Sequence, residues 1–323
     1  MDLGRGDLAD VADSSNISPN DDVAVDTKTS SDLSQDVDAH RDTDAEDVCT
    51  WTLDDDAPNL NSDEPNEISG IAKSRTYDDI IWAHNDSGEA TVRFFSISRD
   101  AQTINTFTVD GAANIDWEDM VIGPGPAGDL LYFADVGDNA ARAGGAGRDN
   151  VQVYVVPEPD PTTSRTVTAA AVYTFTYPDR AYDCESFFID PSNDDFYFIT
   201  KDNDGESQLF AARAPHTETS RVLEKVADVV FGTATVMGTK TNTGAQLFWD
   251  GSGLLVRTYA STLLWLRQDG QSFQDVFDTT PIALPIAFEI QAEAVTVSGD
   301  GRELWTISEG RRPALHHFTC QSN

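Results

Sequence analysis

The chain has 323 residues, 39% of them hydrophobic, and a formal net charge of −35 with a pI near 4.1. Length and apolar content allow one large all-β domain or two ordinary ones. The charge excludes nucleic acid and anionic membrane as natural partners, because phosphate repels carboxylate. It suits cations, a cationic partner or plain solubility.

Residues 1–47 hold 13 Asp and Glu46 against Arg5, Lys28 and Arg41, a net of −11, and contain no aromatic residue. Such a segment cannot bury enough apolar surface to offset its ordering entropy, so it is expected to be a disordered acidic tail or spacer. Residues 48–323 are expected to form the folded domain. No stretch approaches the roughly 20 apolar residues of a membrane-spanning helix. No leader peptide is visible, so export would require one removed ahead of this sequence.

Helical periodicity is nearly absent. The chain instead repeats short β-branched and aromatic runs separated by Gly, Asp, Asn and Pro. The repeats open at Glu67-Ile-Ser-Gly-Ile, Glu118-Asp-Met-Val-Ile, Glu185-Ser-Phe-Phe-Ile, a weaker Thr243-Gly-Ala-Gln-Leu-Phe, and Glu293-Ala-Val-Thr-Val, at spacings of 51, 67, 58 and 50 residues. Second strands are expected at 80–83, 130–134, 196–200, 254–258 and 303–308. Third strands follow at 92–96, 151–156, 208–212, 262–266 and 314–319. Fourth strands are placed at 104–109, 171–177, 222–230 and 274–277. The last repeat lacks room for a fourth strand, while 48–53 is left over. The prediction is therefore a five-bladed β-propeller of four-stranded blades, the last closed by the N-terminal strand. Two β-sandwich domains are the alternative.

Cys49 and Cys320 would sit on the two strands that close the ring. A disulfide between them would contribute about 4–5 kcal/mol by loop closure and implies an oxidising compartment. Cys184 is left over and reads as a small buried thiol.

In a propeller the first strand of each blade lines the central channel. Glu67, Glu118, Glu185, Thr243 and Glu293 should then ring one mouth, extended by Asp116 and Asp183. The turns after the second strands bring His84-Asn-Asp86, Asp135-Val-Gly-Asp138, Thr200-Lys201-Asp202, Arg257-Thr-Tyr259 and Ser308-Glu309. Two unit charges 4 Å apart cost about 4 kcal/mol at an effective dielectric near 20, so converging carboxylates need protons, basic partners or a cation. The basic candidates are Lys201, Arg257 and His84. The expected metal ligands are Glu67, Asp86, Asp116, Glu118, Asp138, Asp183, Glu185 and Glu293, holding a divalent cation, calcium ahead of magnesium because the ligands are numerous and irregular. Cysteine and histidine spacing does not fit zinc. Asp-rich turns also occur simply as turns, and a polar pocket without metal stays open.

The series Glu67-Ile-Ser-Gly, Trp82-Ala-His-Asn-Asp-Ser-Gly88, Asn114-Ile-Asp-Trp-Glu-Asp119, Tyr132-Phe-Ala-Asp-Val-Gly-Asp-Asn139, Val153-Tyr-Val-Val-Pro-Glu-Pro159, Arg257-Thr-Tyr259, Gln291-Ala-Glu-Ala294 and Ser308-Glu-Gly310 resembles a group of secreted bacterial propeller proteins of unsettled activity. The resemblance covers roughly residues 66–318. It implies export, to the periplasm, cell surface or medium. The group's pattern has Asp after Thr-Gly-Ala in the fourth repeat, where this chain has Gln246. Looser likenesses are to calcium-dependent propeller phytases and lactonases and to five-bladed glycosidases.

The leading expectation is a monomeric surface propeller binding a divalent cation and a small-molecule or cell-surface ligand. A metal-dependent hydrolase of phosphoesters or lactones would use His84, Glu118 or Glu185 as base, with Lys201 and Arg257 on the anion. A glycosidase would use two of Glu118, Glu185 and Glu293.

Overall fold

The computed structural model describes residues 49–88, 90–163, 165–202, 206–217, 219–231 and 239–321. The expected tail, 1–47, and Val48 lie outside these residues. The described part of the chain is all-β, and its strands form five small sheets arranged as a five-bladed propeller. The sandwich alternative falls with that arrangement.

The first strand, β1 (Thr50–Leu53), belongs to the last blade. Blade 1 is β2 (Ile68–Lys73), β3 (Ile80–Asn85), β4 (Arg93–Ser98) and β5 (Thr103–Asp110). Blade 2 is β6 (Trp117–Gly125), β7 (Gly128–Asp135), β8 (Val151–Pro157) and, after β9 (Thr166–Thr168), β10 (Ala171–Thr176). A short helix α1 (Asn139–Arg142) lies between β7 and β8. Blade 3 is β11 (Cys184–Ile189), β12 (Phe196–Thr200), β13 (Glu206–Ala212) and, after β14 (Arg221–Val222), β15 (Glu224–Val230). Blade 4 is β16 (Asn242–Leu247), β17 (Gly253–Thr258), β18 (Ser261–Leu266) and, after helix α2 (Phe273–Phe277), β19 (Ile282–Ala283). Blade 5 is β20 (Ala292–Val297), β21 (Glu303–Ser308), β22 (His316–Gln321) and β1. Each blade is an antiparallel meander of four strands. β9 and β14 add parallel outer strands to blades 1 and 2.

One expected strand is a helix. Residues 274–277 fall in α2, whose Ser272 side chain caps the N-terminus by accepting from Asp275 N–H. The fourth strand of blade 4 is the shorter β19.

The inner strands read as continuous buried runs rather than alternations, as in β3, because both faces of each blade pack on neighbours. Five apolar seams result. Trp82, Trp117 and Phe133 fill the seam of blades 1 and 2, and Phe187, Phe198 and Phe210 that of blades 2 and 3. Trp265, Phe273 and Val256 pack between blades 3 and 4. Leu255, Val295 and Phe318 pack between blades 4 and 5, and Phe95, Trp305 and Ile307 between blades 5 and 1. The hairpins at Asp250-Gly251 and Asp300-Gly301 both place glycine in the left-handed region, at φ 76° and 68°, where a side chain is disfavoured.

Ring closure follows the sequence expectation. β1 pairs antiparallel with β22, with Trp51 opposite Cys320, and Cys49 and Cys320 form a disulfide with Cα atoms 5.4 Å apart. Cys184 is a buried thiol in the seam of blades 2 and 3.

The five first strands pack side by side around the axis. There the Asp119 carboxylate joins three blades. It accepts from Met120 N–H at 2.8 Å and from Phe187 and Ala245 N–H, both at 2.9 Å.

Two outcomes are expected. Cys49→Ser, compared with the parent protein by thermal unfolding, removes roughly 4–5 kcal/mol and lowers the midpoint by roughly 10 °C or more. A loss under about 1 kcal/mol would mean the β1–β22 pairing closes the ring unaided. Asp119→Ala strands three buried donors and costs about 3 kcal/mol or more in urea unfolding. Asp119→Asn, which keeps one acceptor oxygen, falls between the two proteins, and equal stability of all three would remove the clamp.

Candidate metal centre

Every blade breaks its ladder at the same place. The first strand carries one extra residue opposite the second strand, giving a bulge at Ser69, Glu118, Glu185, Thr243 and Glu293. A bulge re-aims the extra side chain. Two residues earlier stand Glu67, Asp116, Asp183, Thr241 and Gln291. Their carbonyls accept from the N–H groups of Asp86, Val136, Lys201, Tyr259 and Glu309. Three five-membered sets of positions therefore surround one mouth of the channel.

This register corrects the first repeat. Ser69, not Glu67, is the counterpart of Glu118. Glu67 belongs to the outer set and is exposed, whereas Glu118, Glu185 and Glu293 are buried. Ser69 Oγ donates to the Glu118 carbonyl at 2.7 Å and lies 3.1 Å from Glu118 Oε2. The identity that reveals the true register is Ser69-Gly70 with Thr243-Gly244.

Five of the expected ligands come together. Asp86, Asp116 and Glu118 place carboxylate oxygens within 4.8 Å of one another, and so do Glu118, Asp183 and Glu185. Glu118 is shared, so the two triads are contiguous. Gly137 lets the backbone pass beside them: a methyl group there would lie 2.1 Å from Glu118 Oε1 and 2.6 Å from Asp116 Oδ2. Glu67, Asp138 and Glu293 stand outside both triads. The Asp138 carboxylate is engaged by backbone, accepting from Ala141 N–H and Arg148 N–H, the first as the cap of α1.

The positive charge at the cluster differs from expectation. Lys201 Nζ is 2.7 Å from Glu185 Oε1 and donates to the Tyr259 hydroxyl at 3.1 Å. His84 and Arg257 are not at the mouth. Both lie opposite the residue after the bulge, Gly70 and Gly244, so strand alternation turns them into the seams. His84 meets Trp117 and Phe133 edge-on. Arg257 is buried against Glu289 and donates to Thr262 Oγ1 at 2.7 Å. Their places are taken by two arginines from the β7–β8 connection. Arg142 Nε lies 3.1 Å from Asp183 Oδ2, and Arg148 Nη1 lies 2.8 Å from Asp135 Oδ1. No repeat pattern marks that connection, so sequence reasoning missed them.

Burial raises every carboxyl of the two triads above its ordinary range. Burial, then Asp116 and Glu185, push Asp86 up to about 8. Burial, then Glu185 and Asp86, hold Glu118 well above the carboxylate range. Burial, then Asp183, raises Asp116; burial raises Asp183 and Glu185 against the opposing pull of Arg142 and Lys201. Burial, then Glu185, pushes Glu293 up to about 8. Lys201 moves the other way: burial opposes its charge, but Glu185, Tyr259 and Glu293 outweigh burial and keep it protonated. Asp86 Oδ1 and Asp135 Oδ2 are buried without a hydrogen-bond partner among the described residues.

No protein-family model matches the chain, and no curated protein matches it. Among solved structures it is similar to a periplasmic gluconolactonase of Pseudomonas aeruginosa, at 11% identity and TM-score 0.44, covering 84% of this chain and 99% of that one. A 6-phosphogluconolactonase candidate from Bacteroides uniformis has 13% identity and TM-score 0.37, with 78% and 67% covered. U3-55K has 10% identity and TM-score 0.41, with 78% and 80% covered.

The raised carboxyls set the sign of a pH effect. A carboxyl whose pKa is higher folded than unfolded gives stability that is complete below its unfolded pKa and lost as pH rises through the folded one. For Asp86 and Glu293 that window runs from about 4 to about 8. In chelator, the unfolding midpoint is therefore expected to fall from pH 5 to pH 8, by an amount that shrinks in Glu293→Gln. A midpoint that rises over this range would show that these groups do not hold their protons.

Proposed function

We propose that this protein binds a divalent cation, calcium, at the mouth of its propeller channel through Asp86, Asp116, Glu118, Asp183 and Glu185, and presents it to a small oxygen-rich ligand. The observation that carries the reading is the sharing of Glu118 between two carboxylate triads, one fully buried and one in which Asp86 and Asp116 are half-buried. Five carboxylates face Lys201 and Arg142 as their paired cations, so negative charge exceeds the side-chain cations present. Within each triad the oxygens lie within 4.8 Å of one another, about the diameter of a calcium shell, whose bonds are about 2.3–2.6 Å. A cation there would also serve Asp86 Oδ1, which has no hydrogen-bond partner among the described residues.

We further propose that the chain works outside the cytosol. The Cys49–Cys320 disulfide supports this, since such bonds persist in oxidising compartments. No helix among the described residues is long and apolar enough to cross a membrane.

A metal-dependent hydrolase is the second reading, supported by Glu293. Its pKa near 8 leaves it able to give or take a proton at neutral pH beside the cluster. The glycosidase reading is weaker. Glu118, Glu185 and Glu293 are 4%, 3% and 3% exposed, too enclosed for a sugar ring to reach between them.

The test is thermal unfolding in EDTA and in calcium, with calorimetric titration of calcium. At a hundred times Kd, calcium is expected to raise the midpoint by roughly 5–10 °C. Glu118→Gln, a neutral replacement of the same shape, should abolish the shift while leaving the EDTA midpoint no lower. Absence of any shift at millimolar calcium or magnesium would overturn the reading.

A further inference from the structure

Against the acidic cluster lies a cavity of about 230 Å³ with a different lining. Arg142, Arg180, Tyr182, Asp183, Lys201 and Gln208 form much of its wall, and Asp202 and Glu206 also line it. Arg180 lies over the Tyr182 ring, 3.9 Å from its centroid, and the Tyr182 hydroxyl donates to Asp179 at 2.9 Å. Gln208 Oε1 is buried without a hydrogen-bond partner among the described residues. Its amide can turn to offer either an acceptor or a donor.

Among the described residues the lining holds three cations, Arg142, Arg180 and Lys201, and three carboxylates, Asp183, Asp202 and Glu206. Two of the cations are engaged by the cluster: Arg142 with Asp183 and Lys201 with Glu185. Asp183 and Glu185 form one of the cluster's triads with Glu118. A divalent cation on that triad offsets two of its three negative charges and competes with Arg142 and Lys201 for the Asp183 and Glu185 oxygens. Arg142 and Lys201 then have N–H donors to offer another acceptor, beside Arg180, which is exposed and forms no ion pair among the described residues. Guanidinium groups match the paired oxygens of phosphate and carboxylate.

We infer that this cavity is an oxyanion subsite, for a phosphate monoester or a carboxylate, whose affinity rises when a divalent cation occupies the neighbouring triad. The inference rests on the cation reading above. Linkage makes it reciprocal: the anion must tighten cation binding by the same factor.

The test is calorimetric titration of the intact protein with glycerol phosphate and, separately, lactate, each with and without saturating calcium. Calcium is expected to tighten anion binding about tenfold or more. Arg180→Gln is expected to weaken anion binding about tenfold, the worth of one charge-assisted hydrogen bond, and to change calcium affinity by less than about twofold. Tighter binding of glycerol phosphate assigns the subsite to phosphoryl groups, and tighter binding of lactate assigns it to carboxylates; either supports the inference. Calcium binding with neither anion bound overturns the subsite and leaves the cation centre standing. Anion binding that depends on Arg180 in a protein that does not bind calcium overturns the cation centre and the coupling. Anion binding unchanged in Arg180→Gln overturns the subsite.

Discussion

Five inner strands converge on one axis, and there is no room on it for five ordinary side chains. At the position just after the bulge, four blades carry Gly70, Ser186, Gly244 and Ala294. The fifth carries Asp119, whose carboxylate uses the space the others leave and ties β6 to β11 and β16 through backbone N–H groups. The closeness is measurable at Gly70, where a methyl group would lie 2.8 Å from Met120 N and 2.3 Å from His84 Nε2. Burial pushes the Asp119 pKa well above the carboxylate range, while its three hydrogen bonds pull it back. Three donors around a buried carboxylate are the arrangement that makes such burial tolerable.

The same convergence produces the acidic mouth. The bulge that admits Asp119 to the axis directs the preceding residue toward the channel, so blades 2, 3 and 5 deliver Glu118, Glu185 and Glu293. Collecting unpaired negative charge in a buried space costs stability, and a fold under selection for stability alone would place hydroxyls there, as blades 1 and 4 do with Ser69 and Thr243. Carboxylates in adjacent blades, flanked by cations from separate loops, are better accounted for by a ligand than by folding. Asp190, which pairs with Arg267 at 2.8 Å, shows the contrast. Despite burial, that pairing and the Ser192 hydroxyl leave its pKa below the ordinary value, as a structural ion pair should.

The blades, their order and the closing disulfide were legible because each rests on local pattern: apolar runs of strand length, turn residues and a cysteine at either end. Errors arose where the pattern has two registers. Glu67 and Glu118 each open a strand-length run containing apolar residues, and a glutamate is the more visible match, although Ser69-Gly70 is the true counterpart of Thr243-Gly244. His84 and Arg257 stand next to polar turns in sequence, but a one-residue step along a strand reverses the face, and both enter seams. A count of four strands per blade favours a strand at residues 274–277, where the chain forms α2. The Ser272-Phe-Gln-Asp275 cap signal pointed to a helix. Arg142 and Arg148 sit in a connection with no counterpart in the other blades, so no repeat could have placed them.

The chemistry of the mouth turns on which positive species occupies it. Lys201 stays charged, so it screens Glu185 and cannot act as a base near neutrality. The remaining charge must be met by protons or by a metal ion, and the two exclude one another on the same oxygens. Without a cation, Asp86 and Glu293 hold protons up to about pH 8. With one, Asp86 must surrender its proton, whereas Glu293, outside both triads, need not. A cation and a proton-bearing acid can therefore coexist a short distance apart. Metal-assisted hydrolysis requires that pairing, and simple cation storage does not, so the state of Glu293 in the cation-loaded protein separates a binding module from an enzyme.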